Sequence, residues 1–95
     1  MSNKNLENKF FDAIERCFSS SIHSKVVRIF KEDFNSDFDL FLQAMPSDLL
    51  RVKSFGRKSL AAVALAKDYI GKPFEDNGYI KFYDITGKSL KKIME

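Results

Sequence analysis

Four consecutive residues, Gly56-Arg57-Lys58-Ser59, carry the most suggestive chemistry in this sequence. Two cations at the start of a helix oppose the positive end of its dipole. Their presence there makes sense if an anion offsets the repulsion. The first amides of a helix have no acceptor within it, so a phosphate can sit on them without any side chain. A glycine at this mouth lets a ligand approach the backbone closely and permits unusual dihedrals. The competing reading is a plain packing turn, in which Gly56 serves only the reversal of the chain.

Other chemistries find little support. His23 is the only histidine and has no Cys or acidic cluster at ligand spacing, so no zinc site is expected. Glu32, Asp33, Asp37 and Asp39 could in principle hold metal ions for a nuclease, but they surround a helix break, where caps and solvated charges are the ordinary use. Cys17 falls on an apolar stripe with no base beside it and reads as a small core residue. No Walker-type phosphate loop is present, and no Ser or Cys nucleophile is paired with a histidine in a known motif. The chain is expected to be a non-enzyme without metal or cofactor.

Charge is unevenly distributed. Residues 31–50 hold one basic and five acidic side chains, whereas residues 51–72 hold six basic and one acidic. An acidic block thus directly precedes a basic one, and the basic one contains Gly56–Ser59. Such asymmetry is a candidate footprint for phosphate, or simply a solvated lysine-rich face. The formal net charge of +3 alone argues for neither.

The elements that must position these residues read as helices. Ninety-five residues make a single domain over 1–95, and ten Phe with three Tyr supply a dense aromatic core. Leu6, Phe10, Ile14, Cys17 and Phe18 recur at helical spacing, predicting an N-terminal helix over 5–18 that the serine run 19–21 ends. Ser24 can cap a second helix to about Glu32, with Val26, Val27 and Phe30 inward. Lys25 and Arg28, three apart, share one of its faces. Asn35 and Ser36 break the chain, and Ser36 or Asp37 caps a third segment burying Phe38, Phe41, Leu42 and Met45. Pro46 opens a short fourth helix through Leu49, Leu50 and Val52. Residues 53–56 turn the chain, and a long helix runs from Arg57 to about Ile70 with Leu60, Val63, Ala64 and Ile70 inward. Gly71 and Pro73 stop it. Residues 46–71 are thus predicted to form a helix-hairpin-helix.

The tail, 72–95, differs. Asn77-Gly78 signals a tight turn, and Tyr79 to Ile85 alternates as a strand with Ile80 and Phe82 on one face. Thr86-Gly87 reads as another turn. Leu90, Ile93 and Met94 then fit a helix or a second hairpin strand. The expected architecture is all-α: a compact domain of four to five helices with a short C-terminal β-hairpin or strand–helix tail.

The stretch LLRVKSFGRKSL resembles the helix-hairpin-helix of the C-terminal domain of the bacterial RNA polymerase alpha subunit. The match is ungapped through Leu49, Leu50, Phe55, Gly56, Arg57, Lys58, Ser59 and Leu60, and weaker upstream through Phe41, Leu42 and Gln43 to Lys25–Phe30. It covers residues 24–71, about half the chain. The resemblance implies a domain that binds the minor groove of A·T-rich promoter DNA and contacts transcription activators. The family's hairpin contacts, a glycine and a lysine–serine pair, fall on Gly56, Lys58 and Ser59. Its groove-reading arginine and asparagine, at the start of the first helix, fall on Lys25 and Arg28, which depart from the pattern. A lysine lacks the planar fork that fits a narrow groove.

The DNA-contacting residues expected are Lys25, Arg28, Lys53, Ser54, Gly56, Arg57, Lys58 and Ser59. Weak or non-specific binding is expected before sequence-specific recognition. The alternative is a protein-interaction adaptor of the same fold, docking on RNA polymerase or a regulator through its acidic segment. A third reading is an oligomerisation module using the N-terminal helix or the tail. No membrane partner is expected, since no apolar run reaches the roughly 20 residues that span a bilayer. The N-terminus lacks the apolar core of a signal peptide, and the lone cysteine suits a reducing compartment, so a cytoplasmic location is expected.

Overall fold

The centre of the molecule is a helix buried on every side. In the computed structural model, which describes residues 4–76, 78–82 and 85–95 (backbone only at Tyr79 and Phe82), α5 spans Arg57–Tyr69. All nine residues from Ser59 to Lys67 are buried. An amphipathic pattern would have left one face wet. Instead Leu-Ala-Ala-Val-Ala-Leu-Ala presents small or aliphatic side chains all round, and neighbouring helices approach from several directions. The inward face predicted at Leu60, Val63, Ala64 and Ile70 is therefore only part of what is covered.

Helices α1 (Lys4–Cys17), α2 (Ser20–Asp33), α3 (Phe38–Gln43) and α4 (Pro46–Leu50) precede α5, and a 3-10 turn (Gly78–Phe82) and α6 (Gly87–Met94) follow it. α1, α2, α4, the 3-10 turn and α6 all pack on α5. One apolar cluster runs from Phe10 of α1 to Leu90 of α6. Phe41 lies at its aromatic end, with ring centroids 5.1 Å from Phe34, 5.4 Å from Phe30 and 5.7 Å from Phe10, all edge-on. Such pairs add about 0.5–1.5 kcal/mol each beyond their burial.

The cap of α2 lies five residues before the one predicted at Ser24. Ser19 is the cap: its hydroxyl accepts from the Ile22 amide at 3.3 Å. Ile22 extends the stripe of Val26, Ile29 and Phe30 back by one turn, and Val27 is only half-buried. Two successive left-handed residues, Asn35 (φ 53°) and Ser36 (φ 60°), end α2. Asp37 caps α3, its carboxylate accepting from Leu40 N–H at 3.1 Å. Met45, expected inward, is 54% exposed. The residue before a proline is held extended, and Met45 (φ −82°, ψ 158°) leaves the helical stripe at that point. Pro46 opens α4 as expected, and the Asp48 carboxylate reaches back to the Met45 amide at 3.0 Å. The helix stops at Leu50, leaving Val52 in the turn.

The C-terminus of α5 is closed by Gly71 at φ 78°, with Lys72 N–H on Lys67 O (2.9 Å) and Gly71 N–H on Asp68 O (3.1 Å). This pair of bonds is a Schellman motif. Lys67, on the last turn, is a buried cation. Its ammonium donates to Leu42 O at 2.7 Å and lies 4.3 Å from the centre of the Phe74 ring. Burial lowers its pKa.

The tail departs from expectation. No strand forms among the described residues, and Gly78–Phe82 is a 3-10 turn. A strand there would have needed a partner for its backbone. The 3-10 turn instead satisfies its backbone locally, starting from the Asp76 carboxylate on Gly78 N–H at 2.9 Å. Ile80 and Ile85 still reach the core. Asn77 of the predicted Asn77-Gly78 turn, Tyr83 and Asp84 lie outside the described residues, as does the Phe82 side chain. Thr86 is a helix cap, accepting from Ser89 N–H at 3.2 Å. α6 follows with Leu90 fully buried, so the helical spacing of Leu90, Ile93 and Met94 prevails over the second hairpin strand. None of the described helices is long and apolar enough to cross a membrane.

Candidate nucleic-acid interface

The turn between α4 and α5 is tight because one residue takes a left-handed conformation. That residue is Ser54, at φ 71°. Gly56 is extended (φ −94°, ψ −178°), a backbone any residue adopts, so the unusual dihedral expected there is absent. Its missing Cβ has a different consequence: a Cβ built at Gly56 would meet no atom within 4 Å. The space beside this backbone is open. Between the two, Phe55 is buried and pins the turn to the core, its N–H on Val52 O at 3.1 Å.

Gly56 is the N-cap of α5 and has no side chain to offer its amides. The first hydrogen bond of the helix runs from Leu60 N–H to Gly56 O at 3.0 Å, which leaves the Lys58 and Ser59 amides without an acceptor in the helix. By contrast Ser19, Asp37 and Thr86 each place an oxygen on a first-turn amide of α2, α3 and α6.

This mouth opens into a shallow groove of about 970 Å³. Of the residues expected from the sequence, the groove brings together Lys25, Lys53, Ser54, Gly56, Arg57, Lys58 and Ser59. Arg28 is not among them. It lines an adjoining groove of about 520 Å³ with Arg51, Lys53, Glu32 and Asp33. The two carboxylates compete with any phosphate for Arg28, which makes it the weakest member of the set. Ser59 departs in another way: it borders the groove but is only 2% exposed, so it is buried where a surface contact was expected.

Three contributors were missed in the sequence. Arg51 lines both grooves, and its signal was its place in the basic block 51–72. Ser19 and Ser21 border the larger groove because α2 starts at Ser20. Their signal was Ile22, which continues the apolar stripe toward the N-terminus. Among the described residues the ion pairs lie on α1, Lys4–Glu7 at 3.4 Å and Arg16–Asp12 at 3.9 Å. No Asp or Glu lines the larger groove, and Lys25 and Lys58 make no ion pair among the described residues, whereas Arg51 and Lys53 also border the smaller groove with Glu32 and Asp33. The concentration of like charge in the larger groove favours an anion.

No group of three or more His, Cys, Asp or Glu side chains is placed to hold a metal ion among the described residues. Cys17 is partly buried, and burial raises its thiol pKa, away from the reactive thiolate. No family model, curated protein or solved structure matches this chain. The likeness to the alpha C-terminal domain rests on the residues of the α4–α5 unit themselves.

Proposed function

We propose that the chain is a DNA-binding domain, that α4 and α5 act as a helix-hairpin-helix resembling that of the RNA polymerase alpha C-terminal domain, and that its role is in transcription. A phosphate sits on the amides at the start of α5, with Lys58 and Arg57 as supporting charges and Lys25, Arg51 and Lys53 around the groove. The observation that carries this reading is the uncapped start of α5, opening on a groove lined by Lys25, Lys53 and Lys58 and by no Asp or Glu. Binding is electrostatic and weakly selective, because Lys25 and Arg28 supply charge where the family reads bases. The chain carries out no catalysis and works in the cytoplasm without a cofactor.

The test is binding to a short A·T-rich duplex by fluorescence anisotropy at several salt concentrations. Affinity should fall linearly in log–log form with a slope of about −0.9 per phosphate neutralised. Lys58→Glu should abolish binding. A flat salt response, or an unaffected Lys58→Glu variant, overturns the reading.

A second reading, the adaptor docking on RNA polymerase or a regulator, draws on α3 and α4. There Leu40 and Met45 are 47% and 54% exposed among Asp37, Asp39 and Asp48. An apolar pair ringed by carboxylates suits a basic, amphipathic partner. NMR shifts confined to 25–28 and 51–59 on adding DNA support the first reading; silence there favours the second.

A further inference from the structure

Among the described residues four large apolar side chains are exposed: Leu40, Met45, Leu50 and Ile93. Leu50 lines the larger groove. The other three lie away from it, in surroundings of opposite charge. Leu40 and Met45 belong to the stretch 37–49, which carries Asp37, Asp39 and Asp48 and no Lys or Arg. Ile93 belongs to α6, where Lys88, Lys91 and Lys92 are all exposed. With Leu90 and Met94 turned to the core, helical spacing places Lys88, Lys92 and Ile93 on the outer side. α6 is thus a basic, amphipathic helix, the kind of element that the α3–α4 face suits.

Both faces stand toward the C-terminal end of α5, away from the groove. The Lys67 ammonium holds α3 through Leu42 O at 2.7 Å. Its neighbour Asp68 lies against the start of α6, where a Cβ at Gly87 would come within 3.0 Å of the carboxylate. From Arg57, at the groove, α5 rises roughly 16 Å to Asp68 at about 1.5 Å per residue. None of residues 37–49 or 87–94 lines the larger groove. Asp68 borders Lys88 and Lys91 in one depression, and Lys67 and Lys72 border Asp39 in another. Lys92 and Ile93 lie outside the first, and Asp37, Leu40, Met45 and Asp48 outside the second.

We infer that the α3–α4 face of one copy of this chain receives α6 of a second copy. Ile93 packs between Leu40 and Met45, and the α6 lysines meet the carboxylates that surround them. An apolar centre within a charged rim is the ordinary anatomy of such a contact. Charge also fixes which face meets which, because either face set against its own kind places like charges together. The groove stays open in the pair, so each copy keeps its phosphate site. The inference does not rest on the DNA-binding reading, and α6 lies beyond residues 24–71, where the resemblance to the alpha C-terminal domain ends.

Sedimentation equilibrium of the full chain, without DNA, should show a mass that rises above the monomer with concentration and falls back with salt. Met45→Lys and Lys92→Glu each change an exposed side chain, so both should fold as well as the parent. Each should weaken self-association about tenfold, because each sets like charges against one another. An equal mixture of the two variants should regain association, since the mixed pair joins the intact α6 of one to the intact α3–α4 face of the other. Lys58→Glu, in the groove, should associate like the parent. A parent that stays monomeric at millimolar concentration overturns the inference and leaves the DNA-binding reading standing. Association that survives both Met45→Lys and Lys92→Glu overturns it too, as does a mixture that fails to rescue them. If Lys58→Glu abolishes association, the acidic face docks in the groove of the second copy, and α6 is not its partner.

Discussion

Replacing Ser54 by glycine should stabilise this protein. At φ 71° Ser54 holds a left-handed backbone, which costs an L-residue with a Cβ roughly 1–2 kcal/mol and glycine almost nothing. The serine side chain is exposed and makes no hydrogen bond among the described residues, so nothing is lost with it. Glycine also widens the unfolded ensemble, which returns about 0.4–1 kcal/mol. The net gain is about 0.5–1 kcal/mol, or a rise in Tm of roughly 2–8 °C for a domain of this size. Urea unfolding followed by helical circular dichroism should show a higher midpoint at unchanged slope. Gly56→Ala is the companion, because the unusual dihedral expected at Gly56 is found at Ser54 instead. Alanine caps a helix less well than glycine, by roughly 0.5 kcal/mol, while the loss of unfolded-state freedom offsets a similar amount. With φ −94° and no atom within 4 Å of a new Cβ, stability should stay level. DNA affinity should nevertheless fall, since the methyl group enters the space beside the phosphate. A lower midpoint for Ser54→Gly, or a loss beyond about 2 kcal/mol for Gly56→Ala, would refute this account of the turn.

Two further expectations concern what holds the groove in place. Ser19→Ala should lower stability by about 1 kcal/mol through loss of the α2 cap, whereas Ser24→Ala, on an exposed interior position, should change it by less than about 0.5 kcal/mol; equal effects in thermal unfolding would put the start of α2 elsewhere. Lys67→Met should change the response of stability to alkaline pH. Burial lowers the folded pKa of Lys67, so as pH rises through that value the native state loses its proton before the unfolded chain does. The unfolded state then binds more protons, and stability attributable to Lys67 rises with pH until the unfolded lysine also titrates. Asp39 and Lys72 border the same depression and are present in both proteins. Denaturant midpoints of parent and variant should therefore shift in the parent's favour above neutral pH, and a constant difference would exclude desolvation of Lys67 as the cause.

Which parts of the fold were legible follows from how local their causes are. Pro46, Gly71 and Asp37 act through their own backbone or first-turn amides, and each is found doing what its residue type suggests. Helices α1 and α5 carry their signal in spacing and punctuation. The tail misled because alternation around Ile80 and Phe82 says only which side chains might share a face. Whether a strand forms depends on a second strand, and none stands beside it among the described residues. Of the apolar faces that suggested an oligomerisation module, part is covered within the chain, while Ile93 of α6 stays 48% exposed. α1 buries Phe10, Ala13 and Ile14, and α6 buries Leu90.

The site was legible where the ligand would be held by the backbone and obscure where it depends on which helices meet. Gly56-Arg57-Lys58-Ser59 announce themselves because cations at a helix start need a reason. Ser19 and Ser21 do not, since a serine run reads equally well as the end of α1 or the beginning of α2. Ile22 decides between these once Val26, Ile29 and Phe30 are seen to be the buried stripe. The consequence for function is a change of weight within the basic residues. Lys25, which lies one turn inside α2 and not at its start, faces the groove with uncompensated charge. Arg28, one turn further, shares its surroundings with Glu32 and Asp33. On the proposed reading, attraction to phosphate is strongest next to α5 and fades along α2, in the direction where the alpha C-terminal domain would read bases. A protein arranged in this way should bind DNA through its charge and the start of α5, with affinity set by salt far more than by sequence.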